Sequence, residues 1–216
     1  IGVTKNMSMM TQYSMGAPTK PVYDWMKMKG GLIPVADTTA PLRATAAVVQ
    51  INGGTVGFTL NPRGLVRVLK LLKWNACLAP TASVSFNTTD RTVRILLDEG
   101  RPIRPLWHLT TAEGSEGAAF LERVPALMAM PWASLVFGSL PATAGASLRT
   151  VRFLDPLGDQ PAATFADYEA ALGGTAGFIE YCDPVEMNEA YVSWWGSSEE
   201  LTPDHTHAEI HPSTLT

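Results

Sequence analysis

Ala46-Ala-Val-Val-Gln-Ile-Asn-Gly-Gly-Thr-Val-Gly-Phe-Thr-Leu-Asn-Pro62 reads as two strands, Ala46–Ile51 and Thr55–Leu60, joined at Asn52-Gly-Gly54 and delivered into a helix. Asn-Gly supplies the positive φ angles that a tight hairpin turn needs. Asn61 suits the N-cap, and Pro62 suits the first helical position, where its missing N–H would have had no partner. The spacing predicts a helix to about Trp74, with Leu65, Val68, Leu69 and Leu72 on one face and Arg63, Arg67 and Lys70 opposite. A second hairpin follows: Ser83–Phe86, a turn at Asn87-Thr-Thr-Asp90, then Thr92–Leu97. Asp98-Glu-Gly100 turns the chain into the extended run Arg101–Trp107. Hairpin, helix and hairpin in this order predict a small α+β module, a helix on an antiparallel sheet.

Outside this module the pattern is less regular. Residues 1–40 are rich in Met, Pro and Gly, with breaks at Pro18, Pro21, Gly30-Gly31 and Pro34. Val22–Lys29 is read there as a helix of two turns, and Met7, Met9 and Met10 as candidates for a packed surface. Downstream, Gly117–Met130 is read as helical up to breaks at Pro125 and Pro131. Thr164–Leu172 is read as a capped helix ended by Gly173-Gly174. Phe178–Cys182 and Ala190–Trp195 are read as strands, the first ended by Asp183-Pro184. The fold class expected is therefore α+β: the hairpin–helix–hairpin module plus a second, irregular mixed α/β module.

The chain has 216 residues, 46% of them hydrophobic, enough for one sizeable core or two small ones. Sixteen Lys and Arg against 20 Asp and Glu give a net charge of −4, which argues against a free-standing nucleic-acid-binding domain. A subunit of a larger assembly escapes that argument, because neighbouring parts can supply the positive channel. Cys77 and Cys182 stand far apart in no metal-ligand spacing and read as reduced thiols. No run of apolar residues is long enough to span a membrane.

Few motifs carry chemistry. His205, His207 and His211, with Asp204 and Glu209 nearby, offer zinc- or iron-type ligands in an H-x-H-x3-H spacing. On that cluster rests the alternative function, a small metal-dependent hydrolase. Against it, Pro212 breaks the element where a helical H-x3-H would continue, so these side chains read as packing at a domain junction. Arg63, Arg67, Lys70 and Lys73 form a basic stripe, read as a solvated helix face rather than a phosphate site. Arg101 and Arg104 each precede a proline in an extended run and read as structural anchors, bidentate to carboxylate or carbonyls. Asp98-Glu99 and Glu199-Glu200 lack a His or Ser partner, and no phosphate loop, nucleophile elbow or C-x-x-C is present. No catalytic residue and no metal site is assigned. A third reading is a standalone interaction module built on residues 44–110.

Five blocks nevertheless resemble one family in its own order. Ile1-Gly-Val-Thr-Lys-Asn-Met-Ser-Met-Met10 and Thr206-His-Ala-Glu-Ile-His-Pro-Ser213 lie at the two ends. Between them stand Val48–Gly57 with Asn61-Pro62, Asp90–Ile95 with Asp98-Glu-Gly-Arg-Pro-Ile-Arg-Pro-Leu106, and Phe178-Ile-Glu-Tyr-Cys-Asp183. These are similar to segments of the second-largest, beta-like subunit of multisubunit DNA-directed RNA polymerases of the eukaryotic, archaeal and large-DNA-virus type. The blocks cover about half of the chain; residues 112–165 and 184–203 show little likeness.

The resemblance implies an internal fragment of a larger multidomain subunit. Residues 1–35 would end its fork region and 36–112 form the first external domain. Residues 113–200 would form the second external domain, and 201–216 would begin the hybrid-binding region. It implies a nucleotidyltransferase that synthesises RNA on DNA, with this piece mainly structural and the Mg2+ of the assembled polymerase bound elsewhere. Expected partners are the largest subunit, the other polymerase subunits and, through the whole enzyme, the DNA template and RNA product; no membrane partner is expected. The location implied is intracellular, in nucleus or cytoplasm, a viral factory or virion included. Lys5, His207 and His211 are the candidates for proximity to nucleic acid.

Overall fold

The computed structural model describes residues 7–109, 117–158, 160, 163–194 and 205–211. A short strand β1 (Gln12–Tyr13) precedes helix α1 (Thr19–Met28). The helix begins three residues before the expected Val22, because Pro21 falls in its first turn, where a missing N–H breaks no helical bond. Val22, Trp25 and Met26 point inward and are buried, whereas Met7, Met9 and Met10 are exposed rather than packed.

After β2 (Ile33–Pro34) and α2 (Ala40–Thr45), the quoted stretch forms β3 (Ala47–Ile51) and β4 (Gly54–Thr59). Their two-residue turn, Asn52-Gly53, has φ of 48° and 80°, the doubly positive geometry of a type I′ turn. Helix α3 (Pro62–Trp74) is capped as its sequence predicts: Asn61 Oδ1 accepts the Gly64 N–H at 3.0 Å. The second hairpin is β5 (Ser83–Asn87) and β6 (Thr92–Leu96). Strand order in this first sheet is β2-β4-β3-β6-β5. Both hairpins are antiparallel, but β3 and β6 run parallel, from Val48 opposite Thr92 to Ile51 opposite Ile95. Such a pairing needs a long connection, which β4, α3 and β5 together provide.

Strand β7 (Pro102–His108) leads to α4 (Gly117–Met128), which continues through Pro125 where a break was expected. Next come α5 (Trp132–Phe137) and α6 (Phe165–Leu172), the latter held at its start by a reciprocal capping box between Thr164 and Asp167. Strand β8 (Ile179–Cys182) ends where expected, but Asp183-Pro184 also starts a helix, α7 (Pro184–Asn188). Of the strand read at Ala190–Trp195, the described residues show only β9 (Val192–Ser193); β10 (His207–Ala208) follows. In this second sheet β7 is the hub, pairing antiparallel with β1, β8 and β10, and β10 pairs parallel with β9.

Two apolar clusters result among the described residues. The larger joins Leu65, Val68, Leu69 and Leu72 of α3 to Val49, Val84, Val93 and Ile95 of the first sheet, to Trp25 of α1 and to Tyr168 and Leu172 of α6. The smaller collects Ile103, Trp107, Leu135, Val136, Ile179, Tyr181 and Ala208 against one face of the second sheet. Among the described residues no helix is long and apolar enough to cross a membrane.

Candidate functional site

Alternation along three paired strands builds the polar centre of the molecule. Ile103, Trp107, Ile179, Tyr181 and Ala208 supply the apolar face of the second sheet. Side chains one residue out of phase must point to the other face. There stand Arg104 and His108 of β7, Glu180 and Cys182 of β8, and His207 and Glu209 at β10. The registers Leu106 opposite Glu180, Arg104 opposite Cys182 and His108 opposite His207 place them side by side.

Helix α3 closes over this face with Lys70 and Lys73, three residues apart and hence one turn along the same stripe. Lys73 is 2% exposed; its Nζ donates to Glu180 Oε1 at 2.9 Å, to both carboxylate oxygens of Glu186 at 3.0 and 2.9 Å, and to the Tyr181 carbonyl at 2.9 Å. Lys70 Nζ reaches the Glu180 oxygens at 3.2 and 3.3 Å. Trp74 Nε1 donates to Glu180 Oε2 at 2.9 Å, and His207 Nε2 lies 3.2 Å from the same atom. The solvated-stripe reading is therefore corrected for these two lysines: they face buried carboxylates, while Arg63 and Arg67 remain exposed and Arg67 pairs with Glu169 at 2.8 Å.

The electrostatics follow from the partners. Burial alone would raise the pKa of Glu180, but Lys70, Lys73 and the His207 bond outweigh it and hold the carboxyl well below its ordinary value. Glu186 has fewer donors, Lys73 and the Val84 N–H, and a like-charged neighbour; burial and Glu180 push it up to about 7. Burial opposes the charge on Lys73, yet Glu180 and Glu186 keep its pKa above the ordinary lysine value. Burial lowers His207 in spite of Glu180, and burial with Glu180 holds the Cys182 thiol well above its usual range. Behind them His108 stacks on Trp74, centroids 3.9 Å apart and planes 3° from parallel, and contacts the Gly177 carbonyl through Nε2 at 2.6 Å. Burial takes its pKa down to about 4, so the ring is neutral, with Nε2 the donor and Nδ1 lacking a hydrogen-bond partner.

Glu180, Cys182 and His207 offer ligand atoms within 4.8 Å of one another. The set does not suit a dication: two ammonium groups already hold the carboxylate, and the thiol is kept protonated. Mg2+, which asks for an open shell of oxygen ligands, fits it less well still. Nor do the three C-terminal histidines converge. His207 is buried beside Glu180, His205 stacks on Tyr191 at 4.2 Å, and His211 is exposed, so the hydrolase site does not assemble from them. Lys5, Asp204, Glu199 and Glu200 lie outside the described residues.

Arg101 and Arg104 occupy the rims. Arg101 bonds Asp98 Oδ1 and Asp183 Oδ2, both at 2.7 Å, and the carbonyls of Thr81 and Leu96, both at 3.0 Å. Asp183 Oδ1 in turn accepts the N-cap bond of α7 from the Glu186 N–H and a bond from Ser83 Oγ, both at 2.8 Å. Arg104 grips Glu209 with both terminal nitrogens, at 2.5 and 2.6 Å. A shallow depression of about 330 Å³ along residues 144–152 shares no residue with this network.

The arrangement is chemically closed. Its acids and bases neutralise one another, and it joins α3, β7, β8, α7 and β10. Sequence reasoning missed Glu180, Glu186 and Lys73 as a group; the signal available was Glu180 alternating with Ile179 and Tyr181 in a strand otherwise destined for burial.

Comparison with known proteins bears on what this scaffold belongs to. Residues 49–110, the hairpin–helix–hairpin module through β7, match the family described as RNA polymerase Rpb2, domain 4. Along 99% of its length the chain is 31% identical to DNA-directed RNA polymerase II subunit RPB2 of Encephalitozoon cuniculi, of which it covers 16%. It is 27% identical to the RPB2 subunit of Schizosaccharomyces pombe, covering 99% of the chain and 18% of that protein. It is 24% identical to DNA-directed RNA polymerase III subunit RPC2 of Drosophila melanogaster, over 99% of the chain and 15% of that protein. The chain thus spans about one sixth of the length of these relatives.

Proposed function

We propose, from the premise that the chain belongs to the family of second-largest subunits of DNA-directed RNA polymerases, that it works as a structural part of such an enzyme. The enzyme would be a nucleotidyltransferase that copies DNA into RNA from ribonucleoside triphosphates. Its Mg2+ and the groups that hold it would lie outside this chain. The observation that carries the reading is end-to-end similarity to both polymerase II and polymerase III subunits. The closed charge network supports it, because Lys70, Lys73, Glu180 and Glu186 pair with one another across α3, β8 and α7.

On this reading residues 1–35, 36–112, 113–200 and 201–216 correspond to the end of the fork region, the two external domains and the start of the hybrid-binding region. Arg101 and Arg104 are structural anchors. His207 faces inward, which leaves Lys5 and His211 as the candidates for proximity to nucleic acid. The partners are the largest subunit and the remaining polymerase subunits. The location is intracellular, and the eukaryotic relatives favour the nucleus.

The test is purification of the protein that carries this chain from its source through an affinity tag. The expected outcome is co-purification of a largest polymerase subunit and Mg2+-dependent extension of RNA on a DNA template. A tagged protein recovered alone, without template-dependent synthesis, would overturn the reading.

A further inference from the structure

Residues 205–211 form a strap with little apolar hold on the molecule. Ala208 is its one buried hydrophobic side chain, and Ile210 packs only partly. Strand β10 is two residues long, pairing His207 with His108 and Ala208 with Trp107. What distinguishes the strap is polar pairing on one face: His207 meets Glu180 and Glu209 meets Arg104, two residues apart and so on the same side.

We propose that Glu180 is the positioning residue of this strap: it fixes the tautomer of His207 through Nε2 and, together with Arg104 on Glu209, selects the single register in which β10 adds to β7. An ionised carboxylate only accepts hydrogen bonds, so His207 Nε2 must carry the hydrogen it shares with Glu180 Oε2 at 3.2 Å. Nδ1, 3.0 Å from Thr206 Oγ1, is then the acceptor. Lys70, Lys73 and the Trp74 N–H hold Glu180 in place from the helix side.

Competing registers are disfavoured by the same side chains. A slip of one residue turns His207 and Glu209 into the apolar cluster and sets Ala208 against Glu180. A slip of two that sets Glu209 opposite His108 puts it in the place of His207 and beside Glu180, like against like. The polar pattern His-x-Glu, rather than an apolar one, thus encodes the pairing.

The test uses the full chain with His207→Gln, which keeps an N–H for Glu180, and His207→Leu, which does not. Hydrogen exchange is read at the amides of Leu109 and Glu209, which bond the Thr206 and Ser193 carbonyls. His207→Leu should speed exchange there by about tenfold or more relative to His207→Gln, with β3 and β6 as controls. Failure of the Leu variant to fold while the Gln variant keeps its protection would support the proposal equally. Nitrogen NMR of the unmodified chain should show the Nε2–H tautomer at His207. Equal behaviour of the two variants, folded or not, or a hydrogen on Nδ1 in the unmodified chain, would overturn it. All these contacts lie within the chain, so the outcome does not depend on the polymerase reading.

Discussion

Lys73 donates to four acceptors on β8 and α7 from a position with almost no water around it, and that decides what its loss does. Removing one member of a buried charge cluster leaves the others unpaired, at a cost of about 3–5 kcal/mol. Lys73→Met should lower the urea-unfolding free energy by about that much, where an exposed ion pair would cost under ~1 kcal/mol. Equilibrium denaturation of the two chains decides between these values. His108 provides a pH prediction. Its folded pKa of about 4 lies below its ordinary 6.5, so the unfolded chain binds the proton more readily. The stability it contributes is complete above pH 6.5 and is lost as pH falls towards 4, amounting to about 3 kcal/mol over the whole window. Glu186, raised to about 7, acts in the opposite sense: its contribution is present below 4.5 and is lost as pH rises through 7. Comparing the chain with His108→Phe, which preserves a ring on Trp74, cancels the Glu186 effect. The stability advantage of the unmodified chain should shrink by about 2 kcal/mol between roughly pH 7 and pH 5. A difference that stays flat with pH would show that His108 titrates normally.

At the scale of elements, β2 is held by close approach of β4. A Cβ built on Gly57 would stand 2.4 Å from the Ile33 carbonyl oxygen and 2.9 Å from Leu32 Cδ1, so only hydrogen fits. Gly57→Ala must push β2 outward, at an expected cost of about 1–3 kcal/mol. Faster amide exchange at Ile33, with unchanged exchange in β6, would locate the damage at that edge. Helix α6 depends on its N-terminal bonds. Thr164 Oγ1 accepts the Asp167 N–H at 3.4 Å, and Asp167 Oδ2 accepts the Thr164 N–H at 2.7 Å. Thr164→Ala should therefore cost about 1 kcal/mol, read as a drop in the thermal midpoint. Since α6 brings Tyr168 into the larger core, where Trp25 Nε1 donates to its hydroxyl at 2.9 Å, that loss should be felt globally rather than as local fraying.

For the molecule as a whole, the core does not respect chain segments. The hairpin–helix–hairpin module completes its apolar cluster with Val22, Trp25 and Met26 from before it and with Tyr168 and Leu172 from after it. Residues 44–110 expressed alone should therefore lack a cooperative unfolding transition in near-ultraviolet circular dichroism, and a sharp sigmoidal transition would restore the standalone-module reading. Much of the architecture was legible in local chemistry. Asn52-Gly53 dictates its turn through positive φ, Asn61-Pro62 dictates the start of α3, and Thr164 with Asp167 dictates that of α6. Each of these depends on neighbours within four residues, which sequence displays. The parallel seating of β6 on β3 was not legible, because nothing in either strand distinguishes a parallel neighbour from an antiparallel one. The candidate site was legible only in pieces: the rim arginines stood out by their prolines, whereas the cluster beneath them did not. Lys70 and Lys73 meet Glu180 across 110 and 107 residues of chain. A helix face bearing cations reads the same whether water or a distant carboxylate will cover it. Sequence by itself therefore determined the turns, the caps and the α+β class. Only the tertiary structure decided which charges were taken out of water, because desolvation depends on what the rest of the chain lays over a residue.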